Sequence, residues 1–427
     1  MVLKNNNAFI DTKYKPSNTD IVAEFRVEPA KGYDFKYVVA NLVAESSIGT
    51  WTEISTEKPY IKKLKPSAFY LNEKEKICRV AYPLELFELG NIPQLLSSIA
   101  GNIYGMKMIK YLMLEDIQYP KKYVKSFKGP RFGIKGVRKV LGIKKRPIVG
   151  TIVKPKLGLK SVDHAKVAYD SWVGGIDLVK DDENLTSQSF NKFNKRLDLT
   201  MKMKRKAEKL TGEMKAYAIN ITAPYNEMKK RMKLVERSGN EYMMVDILTL
   251  GFSAMQSILE ENRKLIVHGH RAMHGALTHF NKHGMSMNVI ADLSRLMGTD
   301  QLHIGTAVGK MEGKKAEVKS LQLEIEEQHI PANQKQHILS QEWYGIKPVF
   351  AVASGGLHPG HVPELFKIFG DEVIMQAGGG IHGHPKGTKA GATAMRQAVD
   401  ASMEGISLKE YAKSHKELQG ALNKWVK

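Results

Sequence analysis

Beyond Pro147, apolar residues recur in short runs separated by longer amphipathic stretches. The runs are Ile148–Val153, Ile176–Val179, Ala216–Ile221, Tyr242–Ile247, Leu265–Val267, Gln301–Ile304, Val349–Ala353 and Val373–Gln376, and their length and bounding turn residues predict buried strands. Between them, Asp163–Trp172, Asn226–Ser238, Met287–Met297 and Pro363–Phe369 predict helices. In the third of these Val289, Ile290, Leu293, Leu296 and Met297 form one apolar stripe. Eight strands alternating with helices are the arithmetic of a (β/α)8 barrel, although an open doubly wound sheet alternates in the same way. Before Pro147 the pattern is mixed. Ile21–Val27, Val38–Val43 and Lys76–Tyr82 read as strands, and Ile92–Ile103 as a helix, because Leu95, Leu96, Ile99 and Ile103 share a face. This predicts an α+β domain over residues 1–130. A basic, Gly- and Pro-bearing connector, Lys125–Arg146, leads into a barrel over residues 131–427.

The polar residues favour the barrel. Nearly every predicted strand ends, on its C-terminal side, in groups that an apolar core rejects: Lys154 and Lys156, then Lys180, Asp182 and Glu183, then His268, His270 and Arg271. The sixth leads through His303 to Lys310, the seventh to Ser354, Gly355 and Gly356, and the eighth to Gly378–Gly380. In a barrel these ends share one face, where active sites sit, so residues scattered in sequence converge on one pocket.

Composition limits the classes available. The 42% apolar fraction suits a large globular core, and no run reaches the roughly 18 apolar residues of a membrane helix. Met1–Asn7 is polar, unlike a secretory signal, and Cys78 is the single cysteine, so a cytoplasmic protein without intrachain disulfides is expected. The net charge of +21, from 65 Lys+Arg against 44 Asp+Glu, raises a basic nucleic-acid-binding scaffold as an alternative. The basic residues are spread along the whole chain, however, and no nucleic-acid-binding motif accompanies them. Steering of a polyanionic small substrate is the other use of such charge.

Each polar cluster admits a chemical use. Period-two geometry puts Lys180 and Asp182 on one side, with Glu183 on the following turn. Two carboxylates suit a hard divalent cation such as Mg2+, so Lys180 is either their salt-bridge partner or is converted into an anionic oxygen ligand. Lys154 and Lys156 also share a side; they could bind phosphate, exchange protons, or be a solvated basic turn. His268, His270 and His274 crowd seven residues, and His270 beside Arg271 reads as a general base next to an anion-binding group. Gly305 and Gly309 bracket a short loop before Lys310, as hinges do for a lid. Ser354-Gly355-Gly356 and Gly378-Gly379-Gly380 offer backbone N–H groups to two phosphates.

In this order and spacing, Glu45–Trp51, Gly101-Asn102, Lys154-Pro155-Lys156, Gly174–Asn184, His270–His274, His303–Lys310, Ser354–His358 and Gln376–Gly380 resemble the large chain of ribulose-1,5-bisphosphate carboxylase/oxygenase over nearly the whole length. The resemblance implies that CO2 carbamylates Lys180, which joins Asp182 and Glu183 around Mg2+. It makes Lys154 the proton donor to the product carbanion and His270 a proton shuttle. Lys156, Arg271, His303, Ser354, Gly355, Gly356, Gln376, Ala377, Gly378 and Gly379 become substrate-binding, and Lys310 the cation of a closing loop. Ribulose 1,5-bisphosphate, CO2 and O2 are the implied reactants. Glu45, Thr50, Trp51 and Asn102 match residues that a partner subunit contributes, which implies a homodimer, open to larger assembly. Met311 and Gly305-Thr306-Ala307-Val308 resemble the archaeal form III branch, which implies nucleotide salvage and no small subunit. Two departures stand out. Ile152 replaces a family threonine, and 312–347 reads as an insertion with Val318, Leu321 and Ile325 on one helical face and Pro331 as its breaker. The nearest rival is a carboxylase-like enolase or isomerase acting on a phosphorylated sugar, whose members commonly lose the loop lysine retained here.

Overall fold

The computed structural model describes residues 6–308 and 315–426. They fold as two compact units, one from the described residues of 1–128, 273–296 and 327–346, the other from those of 129–272, 297–326 and 347–427. Strands are numbered in chain order throughout.

The first unit is built on a mixed sheet. β1 (Ile21–Pro29), β2 (Ser67–Asn72), β3 (Ile77–Tyr82), β4 (Ile109–Gln118) and the short β10 (Gly284–Met285) lie in the order β10-β4-β1-β3-β2. All pairs are antiparallel except β10 with β4. β1 and β3 fall where the pattern predicts strands; β2 and β4 were not anticipated. Val38–Val43 is not a strand but the middle of the helix Phe35–Glu45. Its continuous apolar run carries no period of two, and the Asp34 carboxylate caps it by accepting the Tyr37 N–H at 2.9 Å. The predicted helix from Ile92 stops at Ile99, and a 3-10 turn, Asn102–Gly105, follows. β12 (His329–Ile330) and β13 (Gln341–Glu342) pair as a small hairpin, with Pro331 directly after β12. The Asp116 carboxylate accepts the Leu339 N–H at 2.7 Å, and Gln118 Nε2 donates to the Ser340 carbonyl at 2.6 Å, which ties the hairpin to β4.

The second unit is the expected barrel. β5 (Ile148–Ile152), β6 (Leu178–Lys180), β7 (Ala216–Asn220), β8 (Tyr242–Asp246), β9 (Ile266–His270), β11 (Gln301–Gly305), β14 (Phe350–Ser354) and β15 (Ile374–Gln376) close into one parallel ring in sequence order. All eight coincide with the predicted runs to within a few residues. The N-terminal end of the ring is plugged. Ile134, Val137 and Leu141 of the helix Gly133–Leu141 pack in one cluster with Ile148, Leu178, Tyr242, Ile266, Phe350 and Ile374. Two carboxylates lock this end: Asp300 accepts N–H groups of Phe132, Gly133 and Val267 at 2.7, 2.9 and 3.0 Å, and Asp177 takes both arms of Arg146 at 2.7 and 2.8 Å. With one end filled by apolar side chains, the polar strand termini lie at the other. The helix Lys315–Glu326 follows β11 and buries Val318, Leu321 and Ile325, the predicted face. Among the described residues no helix is long and apolar enough to cross a membrane.

Candidate active site

Lys180, the last residue of β6, is completely buried. Its ammonium lies 3.4 Å from Glu183 Oε2, 3.0 Å from the Asp181 carbonyl and 3.5 Å from Met244 Sδ on β8. Burial lowers its pKa, against the pull of Glu183 and Asp182. An amine so placed exists more readily in the free form that attacks an electrophile.

The neighbouring carboxylates divide their work by direction. Asp181 points into the barrel wall, where Arg196 Nε at 3.1 Å, Tyr217 OH at 2.7 Å, His164 Nε2 at 3.1 Å and the Asn220 N–H at 3.0 Å surround it. Against the cost of burial, Arg196 and His164 hold its carboxyl down to about 2. Asp182 turns the other way. Lys154 Nζ reaches its Oδ2 at 2.7 Å, and Asn184 donates to its Oδ1 from the side-chain amide at 2.9 Å and from the backbone at 3.2 Å. Burial opposes its ionisation, but the hydrogen bonds from Lys154 and Asn184 outweigh it and hold the carboxyl below its usual range.

β9 and β11 supply the imidazoles. His270 Nε2 faces Glu183 Oε2 at 3.6 Å, and its Nδ1 faces Asp246 Oδ1 at 3.3 Å. Its ring lies 4.7 Å from that of His303, centroid to centroid. Burial and the Lys180 charge push the His270 pKa down, so it holds a lone pair at neutral pH. His303 Nδ1 meets Ser354 Oγ on β14 at 2.7 Å. Arg271 comes so near β11 that a Cβ on Gly305, whose φ is +93°, would lie 2.5 Å from Nη2; burial lowers its pKa to about 10. Gly378 makes room for Lys154 in the same fashion, its missing Cβ lying 3.1 Å from Lys154 Cε.

The barrel thus gathers Lys154, Lys180, Asp182, Glu183, His270, Arg271, His303 and Ser354 through strand ends and close contacts. Gly355 and Gly356, both at positive φ, and Gly379, at the start of the helix Gly379–His382, continue β14 and β15. Gln376 is the last residue of β15. It is buried, packs within about 3 Å of where a Gly150 Cβ would be, and its Oε1 and Nε2 have no hydrogen-bond partner. Ala377 is also buried, its carbonyl taken by Thr151 Oγ1 at 2.7 Å. Lys156 is exposed, and Lys310 lies outside the described residues. In the first unit, Asn102 Nδ2 donates to Glu45 Oε1 at 3.3 Å, Thr50 is half-buried and Trp51 is 53% exposed. Sequence reasoning missed Asp246, Asn184 and Asn220. The signal available was position: Asp246 and Asn220 close β8 and β7, the two strands for which no polar terminus was sought.

Among the described residues, no three His, Cys, Asp or Glu side chains are grouped to hold a metal. Asp182 and Glu183 are two hard oxygen donors flanking a buried amine, so a divalent cation fits once Lys180 supplies a third anionic oxygen.

Comparisons with known proteins give the family. Residues 133–425 match the model of the ribulose bisphosphate carboxylase large chain, catalytic domain, and residues 8–123 that of its N-terminal domain. The ribulose bisphosphate carboxylase of Methanosarcina barkeri is 54% identical over 98% of this chain and 99% of its own. That of Methanocaldococcus jannaschii is 51% identical over 98% and 99%. The dimeric archaeal Rubisco from Hyperthermus butylicus superposes with a TM-score of 0.94 at 48% identity, over 99% of each chain. The octameric enzyme from Pyrococcus horikoshii gives 0.92 at 43%, over 99% and 97%.

Proposed function

Because the chain belongs to the ribulose bisphosphate carboxylase large-chain family, we propose that it is a carboxy-lyase that adds CO2 and one water to ribulose 1,5-bisphosphate and yields two 3-phosphoglycerates and two protons. Oxygenation competes at the same site, and nucleotide salvage is the proposed setting. The observation that carries the reading is Lys180, a buried amine with a lowered pKa between two acidic neighbours. Free amines add to CO2 to form carbamates, with release of one proton. The carbamate of Lys180, Asp182 and Glu183 would hold Mg2+, which as a Lewis acid stabilises negative charge developing on substrate oxygens.

The chain's own groups do the rest. Arg271 and the backbone N–H groups of Gly355, Gly356, Gly378 and Gly379 bind the phosphates. Gln376 and Ala377, buried as side chains, contribute by shaping the turn. Ser354, backed by His303, orients the carbon backbone. His270, unprotonated and held by Asp246, accepts a substrate proton, and Lys154, released from Asp182, delivers one to the product carbon. Lys156 strengthens the positive field at the site, and Lys310 closes over it. The active unit is a homodimer in which Glu45, Thr50, Trp51 and Asn102 come from the partner's first unit. Two solved relatives are described as dimeric and octameric, which supports an oligomeric active unit.

The test incubates purified protein with CO2 and Mg2+ and then adds ribulose 1,5-bisphosphate with labelled bicarbonate. Labelled phosphoglycerate is expected, and none from Lys180→Ala. Absence of product from the unmodified chain removes the proposal.

A further inference from the structure

Behind His303 and the substrate-facing Ser354 lies a line of polar side chains, Tyr242, Gln301 and His268, with no direct part in the chemistry. Tyr242 OH on β8 lies 3.3 Å from Gln301 Nε2 on β11. Gln301 Oε1 lies 2.7 Å from His268 Nδ1 on β9, and His268 Nε2 lies 2.8 Å from His303 Nε2. His303 Nδ1 meets Ser354 Oγ at 2.7 Å. Tyr242, Gln301 and His268 are fully buried and His303 is 2% exposed, so the contacts from Tyr242 to His303 are closed to water, while Ser354 is half-buried at the end of the line.

Such a line has a polarity. Two imidazole nitrogens 2.8 Å apart share one proton, so fixing one ring fixes the other. Burial keeps both rings neutral, with His268 pushed down to about 3 and His303 well below its ordinary value. Each ring therefore carries a single N–H. The polarity is set at the Gln301 end. At His268 Nδ1 the partner is the Gln301 carbonyl oxygen at 2.7 Å, short for N–H···O and shorter still than N–H···N contacts run. At the far end His303 Nδ1, left without a proton, can only accept, so the Ser354 hydroxyl donates across the 2.7 Å between them.

We propose that Gln301 and His268 are positioning residues that hold the proton of His303 on Nε2, so that Ser354 spends its hydroxyl hydrogen on His303 Nδ1 and offers only lone pairs to the substrate. His268 donates from Nδ1 to Gln301, His303 donates from Nε2 to His268, and Ser354 donates to His303. The substrate group that meets Ser354 must then be a donor. This rests on the proposed reading of the site and sharpens it: Ser354 takes a sugar hydroxyl and repels a phosphate oxygen, which leaves phosphate to the adjoining glycine N–H groups.

Neutron diffraction from crystals of the full chain exchanged into D2O tests the polarity without substrate, and so independently of whether the protein is a carboxylase. Deuterium is expected on His268 Nδ1 and His303 Nε2, with the Ser354 deuterium directed at His303. Deuterium on His303 Nδ1, whole or partial, overturns the proposal. A kinetic arm separates positioning from packing. Gln301→Glu keeps an acceptor facing His268 Nδ1 and should retain kcat/KM for ribulose 1,5-bisphosphate to within about threefold, whereas Gln301→Leu should lose about tenfold, one hydrogen bond's worth. Equal losses in the two variants, or none in Gln301→Leu, also overturn it. Should Gln301→Leu not fold, the deuterium positions alone decide.

Discussion

Lys154 Nζ and Asp182 Oδ2 are joined at 2.7 Å, so the group proposed to donate a proton neutralises a carboxylate proposed to hold the cation. The two roles exclude each other in time: the lysine leaves when the cation arrives, and is thereby freed to face the substrate. Lys154→Met should lower kcat by at least about a hundredfold, the usual worth of a positioned acid. The same variant should bind Mn2+, followed by electron paramagnetic resonance, at least as tightly as the unmodified chain. Weaker binding would show that Lys154 assists the cation rather than competing with it.

Asp246 Oδ1 stands 3.3 Å from His270 Nδ1, which also accepts the Ala272 N–H at 3.2 Å, and its charge backs the ring that faces Glu183. Replacing a carboxylate behind a catalytic imidazole typically costs about 10- to 100-fold. Asp246→Asn should therefore show that loss in kcat with little change in KM. An unaltered kcat would remove Asp246 from the machinery.

Gly305 is required by its φ of +93° and by the Arg271 guanidinium lying where a side chain would begin. Gly305→Ala should cost about 1–3 kcal/mol in backbone strain, read by urea unfolding. It should also raise KM for ribulose 1,5-bisphosphate, because the displaced arginine loses its aim. A normal KM in the folded variant would mean that Arg271 does not hold the substrate.

Asp181, ionised and enclosed by Arg196, Tyr217 and His164, has a folded pKa of about 2, below the roughly 3.9 of an unfolded aspartate. A depressed carboxylate contributes stability that is complete above the unfolded value and is lost as pH falls towards the folded one. Asp181→Asn should lower stability by about 3–5 kcal/mol at neutral pH, as breaking a buried ion pair does. The gap between variant and parent should stay constant above about pH 5 and shrink below about pH 4. A gap that holds its size to pH 3 would contradict this assignment.

The barrel was legible because its strands are short apolar runs bounded by polar termini, and both features survive in one dimension. Lys180, Asp182 and Glu183 were legible for the same reason: they follow a run whose end is unmistakable. Val38–Val43 was misread because an apolar run with no alternation fits a buried helix as well as a strand, and the deciding contact, from Asp34 to the Tyr37 N–H, is a capping interaction. Asp246 escaped because it acts on His270, distant along the chain, and only the closed ring makes them neighbours.

The back-to-back aiming of Asp181 and Asp182 has an implication for how this segment can change over generations. A single codon gained or lost just before them would move each following side chain one position along, so the wall's anchor and the pocket's acid would both leave the places their contacts require, and scaffold and chemistry would fail at once. Length changes should therefore be purged from this stretch far more strictly than substitutions, and they should accumulate instead in connections that carry only one of those duties.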